Sequence, residues 1–75
     1  MSHNYTFESP TYVQHFLNQL ESMQPFTVVF MTKGNKQRRY TGTLDPNTEG
    51  RFTSVAMMTE EGYKRFSVDR VLLIQ

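Results

Sequence analysis

The hydrophobic pattern of the chain changes once, at Pro25. Before this residue, apolar side chains recur every three to four positions, which is the spacing of an amphipathic helix. They are Tyr12, Val13, Phe16, Leu17, Leu20 and Met23. Pro10 suits the first helical position, and the hydroxyl of Ser9 or Thr11 can cap the start. Because Pro25 disfavours a helical residue before it, the pattern predicts one helix over about residues 10–23.

After Pro25 the period becomes two, and β-branched and aromatic residues dominate, as in strands. Short polar or glycine-containing links at 34–36, 45–50 and 60–62 interrupt the pattern, and a single tight turn is expected at Asp69 and Arg70. The five predicted strands are FTVVFMTK (26–33), QRRYTGTL (37–44), FTSVAMMT (52–59), YKRFSV (63–68) and VLLIQ (71–75).

The order of one helix and five short strands predicts a mainly β domain. An open sheet of this size would leave an apolar face and two edges in water, so we expect a small five-stranded antiparallel SH3-like or Sm-like barrel with an N-terminal α-helix. Gly42, in mid-strand, is expected to mark a bulge or a sharp bend. The alternative is an open α+β sheet with the helix across one face. Residues 1–8 are polar without a period and are predicted to be a flexible arm, with residues 9–75 as the single domain.

Composition narrows the class of protein. A chain of 75 residues has room for one small core, and 37% hydrophobic with 20% charged residues is too apolar for a disordered polypeptide. Cysteine is absent, which excludes disulfides and a thiolate zinc site. The N-terminus lacks the apolar run of a signal peptide and no stretch is long enough to span a membrane, so we expect a cytoplasmic protein that does not engage membranes.

The usual signatures of catalysis are absent from the sequence. It contains no P-loop, dinucleotide fingerprint, nucleophile elbow or paired-histidine metal motif. His3 and His15 are far apart, and the adjacent carboxylates of Glu60 and Glu61 point apart in a hairpin. The sequence therefore predicts a non-enzymatic protein without a metal or cofactor.

Charge is distributed unevenly along the chain. The net charge is +1, but residues 26–51 carry five basic and two acidic side chains, a local excess of +3. A basic hairpin of this kind attracts phosphate groups, and interleaved aromatics can stack on bases. The candidate nucleic-acid-binding residues are Lys33, Lys36, Arg38, Arg39 and Arg51.

Two alternatives remain open for this hairpin. If Tyr40 faces the barrel interior, it is a core residue and Arg38 lies near the open end, which leaves Arg39 and the two lysines outward. The same charges are equally expected on a solvated hairpin that blunts a sheet edge.

A second cluster is expected on the third and fourth strands. Phe66 and Val68 are predicted to be core, which places Tyr63 and Arg65 outward as anchors at an interface. Of the neighbours Met57 and Met58, one should face the core and the other outward or under the helix. The candidate partner-binding residues are Tyr63, Arg65, Arg70 and Met58. For Arg70 the alternative is a structural role, bonding carbonyl groups at the barrel rim while Asp69 caps the turn.

The segment "GYKRFSVDRVLLIQ" resembles the closing segment of WYL-type domains, in which an aromatic, a basic residue, a phenylalanine and an Asp-Arg pair lead into the last strand. Together with "TVVFMTKGNKQRRYTGTL", it is similar to a family of short single-domain proteins, often phage-encoded, with a WYL-like, Sm-like SH3 β-barrel. The resemblance covers residues 26–75. It implies a barrel used as a nucleic-acid or regulatory interaction module in the host cytoplasm, and it adds weight to a functional role for Arg70.

These observations lead to one function hypothesis and one alternative. The first is a phage-type accessory or regulatory protein that binds RNA or single-stranded DNA through its basic hairpin. The alternative is a small effector that binds and modulates a host protein, acting as a monomer or as a homo-oligomer.

Overall fold

The computed structural model describes residues 6–45 and 54–75. The predicted order of one helix followed by five strands is confirmed, and a short 3-10 helix, η1, replaces the tight turn before the last strand. The elements are α1 (Pro10–Asn18), β1 (Pro25–Met31), β2 (Gln37–Leu44), β3 (Ser54–Thr59), β4 (Gly62–Ser67), η1 (Val68–Arg70) and β5 (Val71–Ile74).

Helix α1 is shorter than predicted. It begins at Pro10 with Ser9 as the N-cap residue, but the hydroxyl of Ser9 makes no capping hydrogen bond. It ends at Asn18, five residues before the predicted end, because the chain needs a loop of irregular turns to reach β1. Met23 adopts a left-handed backbone with φ of 64° and its side chain is 71% exposed, so it does not extend the apolar face of the helix.

The strands form one antiparallel sheet in the order β4-β3-β2-β1-β5. This sheet curls strongly, since the rings of Phe30 on β1 and Phe66 on β4 lie with centroids 5.9 Å apart. In a flat sheet two intervening strands would hold β1 and β4 about 14 Å apart. The two edge strands are also joined directly by the three residues of η1. The sequence therefore predicted the mainly β class and the five antiparallel strands correctly.

The closed barrel is the part of that prediction that needs correction. Among the described strands no backbone pairing joins β4 to β5, so the curled sheet stays open along one line, which we call the seam. β5 pairs with β1 only as far as Val71 opposite Phe30. Past that point, no described strand pairs with this edge of β1, and the end of β1 faces the end of β4 across the seam.

The core fills the inside of the curled sheet and is closed by α1. Phe16 of the helix contacts Phe26 of β1 edge to face, with centroids 6.4 Å apart. Phe66 of β4 and Val68 of η1, both predicted to be core residues, are buried. The buried cluster comprises Val13, Leu17, Phe26, Val28, Phe30, Val55, Met57, Phe66, Val68, Val71 and Ile74.

Of the bulge or sharp bend predicted at Gly42, the bulge is not formed. The register of β2 runs through it without a shift on either side, opposite Phe26 of β1 and Thr59 of β3. The irregularity lies instead in the β1–β5 pairing, between Val29 and Phe30. Glycine is required at position 42 because a Cβ atom there would overlap the carbonyl oxygen of Met58. The glycine thus permits β2 and β3 to approach closely.

Candidate nucleic-acid interface

The turn between β1 and β2 is held by its own hydrogen bonds. The Thr32 N–H donates to the Lys36 carbonyl at 2.8 Å, and the Asn35 N–H donates to the Thr32 carbonyl at 2.9 Å. The Lys36 N–H donates in turn to Thr32 Oγ1 at 3.2 Å. Asn35 supplies the left-handed conformation of the turn with φ of 60°. Lys33 and Lys36 are therefore exposed side chains on an ordered turn.

Arg38 and Arg39 follow the turn on β2 and point to opposite faces of the sheet. Arg38 pairs with Phe30 and so lies on the core side, where the end of the strand leaves it exposed. Arg39 pairs with Val29 and lies on the outer side, also exposed. The hairpin consequently presents positive charge on both of its faces rather than along one groove.

No carboxylate neutralises these four cations within the described ranges. The sequence has no acidic residue between Lys33 and Leu44, and the only ion pair between described residues is Lys64 with Glu61 at 3.9 Å. The positive surface has one acidic border, because Glu60 and Glu61 line the same outer cleft as Arg39. The turn and the two faces of the hairpin therefore carry positive charges that can bind phosphate groups.

The sequence left open whether Tyr40 faces the core, and its side chain lies on the core side of the sheet. Its ring lies 5.3 Å from that of Phe30, measured between centroids, and it is half-buried. The Lys64 ammonium covers it at 5.8 Å from the ring centroid. The hairpin therefore offers cations without an exposed aromatic side chain, and base stacking on Tyr40 is not part of the interface.

Arg70 ties η1 to the basic hairpin. Its Nε donates to the Met31 carbonyl at 3.0 Å, and its Nη2 donates to the Thr32 carbonyl at 3.0 Å. Nη2 also lies 3.3 Å from Asn35 Oδ1. These are the bonds expected of a structural arginine at the barrel rim. The predicted capping by Asp69 is not seen, since no hydrogen bond of its carboxylate is found among the described residues.

The N-terminal segment contributes a residue that sequence reasoning missed. Phe7 lies with its ring 5.7 Å from the Arg70 guanidinium carbon, and the Glu8 N–H donates to the Val71 carbonyl at 2.7 Å. The end of the predicted flexible arm therefore contacts η1 and β5. No spacing or pattern in the sequence points to this contact, because the two segments lie at opposite ends of the chain.

Three of the four predicted partner-binding residues share the outer face of the β3–β4 hairpin. Met58 and Tyr63 are directly opposite each other, and Arg65 lies opposite Ala56. Met58 is 39% exposed and Tyr63 is 65% exposed. Met57 is fully buried, so the pair of methionines divides between core and surface as expected. Arg70 lies apart from this patch, on η1.

Some predicted features cannot be placed. Arg51 lies outside the described residues, as does His3. Within the described residues, no group of three or more His, Asp or Glu side chains is arranged to hold a metal ion. The same part of the chain contains no helix that is long and apolar enough to cross a membrane.

Comparison with known proteins gives no information about the hairpin beyond its geometry. The chain matches no family model, no curated protein and no solved structure.

Proposed function

We propose that the protein is a non-enzymatic module that binds RNA or single-stranded DNA through the phosphate backbone. The observation that carries the proposal is the set of four exposed cations on the ordered β1–β2 hairpin, with no ion pair to any described carboxylate. Lys33, Lys36 and Arg39 contact the strand from the turn and the outer face, and Arg38 contacts it from the core side. Arg51 remains part of the proposed interface on its charge and its position in the sequence.

This arrangement favours a binding mode without base readout. Phosphate contacts fix a strand in place and carry no sequence information. Tyr40, the aromatic residue of the hairpin, packs against Phe30 and is not free to stack. The proposed role is therefore sequence-tolerant binding by an accessory or regulatory protein, acting in the cytoplasm of the cell in which it is made, in keeping with the WYL-like resemblance.

The first prediction concerns the salt dependence of this binding. For four phosphate contacts to a single strand, the slope of log Kobs against log[NaCl] is expected to be about −3. Arg39→Gln should weaken binding of unrelated oligonucleotides alike and reduce the magnitude of the slope by about 0.7, because one counterion-releasing contact is lost. The measurement is fluorescence anisotropy over a series of salt concentrations.

The matched control is Lys64→Gln, which removes the same charge from strand β4, on the far side of β3 from the basic hairpin. Lys64 already lies over Tyr40 and pairs with Glu61, so its loss should leave the slope unchanged. Binding that is insensitive to salt, or equally sensitive in both variants, would refute the proposed interface.

A second candidate function rests on a different observation. Met58 and Tyr63 form a directly paired, exposed apolar patch with Arg65 beside it on the same face. Tyrosine and arginine are enriched among interface residues that dominate binding, and methionine adapts to varied partner surfaces. We infer that a protein partner would bind to this patch. In that case this chain acts as a small effector.

A substitution in this patch tests the second candidate function. Tyr63→Ala is expected to weaken such a complex by about 30-fold or more, because a central anchor of this kind contributes about 2 kcal/mol or more. The measurement is the yield of a partner at near-equal molar amount after capture of the tagged protein from nuclease-treated lysate. Arg39→Gln serves as the control and should keep the partner. Loss of the partner in both variants would contradict a role for the patch.

A further inference from the structure

A small basic cleft lies across the seam, between the end of β1 and the end of β4. It has a volume of about 220 Å³. Three cations line it: Lys33 from the β1–β2 turn, and Arg65 and Arg70 from β4 and η1 near the other end of the chain; none of the described lining residues is acidic. Phe30 and Phe66 supply apolar lining.

The two arginines are held in place yet keep donors to spare. A guanidinium carries five N–H groups in a fixed planar fork. Arg70 uses Nε and Nη2 on the Met31 and Thr32 carbonyls and on Asn35, which leaves both Nη1 hydrogens without an acceptor in the described residues. Arg65 donates from Nη1 to Ser54 Oγ at 3.0 Å, which leaves Nε, both Nη2 hydrogens and one Nη1 hydrogen without an acceptor in the described residues. The Arg70 fork is thus oriented by three acceptors before a ligand arrives, and the Arg65 fork is tied at one end to Ser54.

The charge and size of the cleft define its ligand. A phosphomonoester carries about −1.5 to −2 charges at neutral pH, whereas a bridging phosphodiester carries one. Three cations that line one cleft match the former better. A cleft of about 220 Å³ is also smaller than the roughly 300–1,000 Å³ of pockets that enclose a whole small molecule, so it suits a single group.

We propose that this cleft binds the terminal phosphate of a nucleic-acid strand. Lys33 belongs to both the cleft and the basic hairpin, so a strand lying on the hairpin can place its end in the cleft. The inference rests on the proposed nucleic-acid function and adds to it a preference for strands with a phosphorylated end. Arg65 and Arg70 bind the phosphate oxygens with their free N–H groups, and Lys33 adds charge at the entrance.

The test compares three oligonucleotides of one sequence, of about ten nucleotides, a length within the range that small single-strand-binding domains cover. One has a 5′-phosphate, one has a 3′-phosphate, and one has hydroxyl groups at both ends. By isothermal titration calorimetry, one phosphorylated form is expected to bind about tenfold more tightly than the hydroxyl form, since charge-assisted hydrogen bonds of this kind exceed neutral ones.

Two variants with the same change of charge separate the cleft from the general positive field. Arg65→Gln should remove the preference for the phosphorylated oligonucleotide while keeping the affinity for the hydroxyl form. The reason is that Arg65 lines the cleft but is not part of the basic β1–β2 hairpin. Arg39→Gln should weaken all three oligonucleotides and keep the preference. The thermal unfolding midpoint of each variant checks that the fold is intact.

The outcomes distinguish this inference from the function on which it rests. Equal affinity of the wild-type protein for all three oligonucleotides, with Arg39→Gln still weakening them, refutes the phosphate cleft and leaves the proposed function standing. Equal loss of the preference in both variants also refutes the cleft, since it assigns the effect to overall charge. A phosphoserine peptide that binds the cleft more tightly than the phosphorylated strand overturns the nucleic-acid assignment. If no oligonucleotide binds, both proposals fall.

Discussion

Replacement of Gly42 by alanine is expected to lower the free energy of unfolding by about 3 kcal/mol, the upper end of the usual cost of overpacking. An added Cβ atom would overlap the Met58 carbonyl oxygen and lie 2.8 Å from the Met58 carbonyl carbon and 3.2 Å from Thr59 Cα. All three atoms belong to backbone, so no side chain can rotate away. Within the described residues, three residue pairs form the ladder between β2 and β3, and these strands must separate to admit the methyl group.

The measurement is thermal or urea unfolding. A domain of this size has a total stability of about 4–11 kcal/mol, so the loss is a large share of it. The unfolding midpoint should fall by about 12–24 °C, given about 4–8 °C for each kcal/mol. Gly34→Ala is the matched control, because its Cβ atom would meet only Thr32 Oγ1 at 3.9 Å. Equal midpoints for the two variants would show that the close approach at Gly42 is not required.

The replacement of Arg70 by methionine is expected to cost about 3 kcal/mol of stability, since hydrogen bonds from a charged group contribute about 1.5–3 kcal/mol each and do not add fully. Methionine replaces the aliphatic stem of the arginine but has no N–H group, so it leaves the Met31 and Thr32 carbonyls without their donor. Arg70→Lys should recover only part of the loss, because an ammonium group cannot reproduce the planar fork.

Chemical denaturation measures this cost, with Arg39→Met as the control on an exposed arginine that makes no ion pair with the described residues. Amide hydrogen exchange in the β1–β2 turn provides a second readout, since Arg70 binds the turn directly. If Arg70→Met unfolds at the same denaturant concentration as the wild-type protein and exchanges its turn amides no faster, the structural role of Arg70 is wrong and its guanidinium is available to a partner.

The strands could be predicted from the sequence because alternation and turn residues are local signals. The bounds of β2 agree with the prediction, and the division of Met57 and Met58 between core and surface follows from strand geometry alone. The end of α1 could not be predicted in this way. Leu20 and Met23 continue the apolar period, but the path to β1 requires the chain to leave the helix at Asn18.

The sequence shows the charges of the basic hairpin but not the cleft or the Phe7 contact, for a related reason. Lys33, Lys36 and Arg39 are neighbours along one hairpin, so their charge is visible in the sequence. The convergence of Lys33 with Arg65 and Arg70 depends on the curl of the whole sheet, which no local pattern reports. The contact of Phe7 with Arg70 is hidden for the same reason.

The strand order β4-β3-β2-β1-β5 also has a consequence for the folding of the chain. The hairpins β1–β2 and β3–β4 pair sequence neighbours, whereas the β1–β5 pairing closes a loop that contains every other strand. Closing that loop carries the largest entropy cost in the sheet, and small barrels dominated by such contacts fold in milliseconds to seconds rather than microseconds. The burial of Val71 and Ile74 offsets this cost, so the closure of the core depends on the shortest of the described strands.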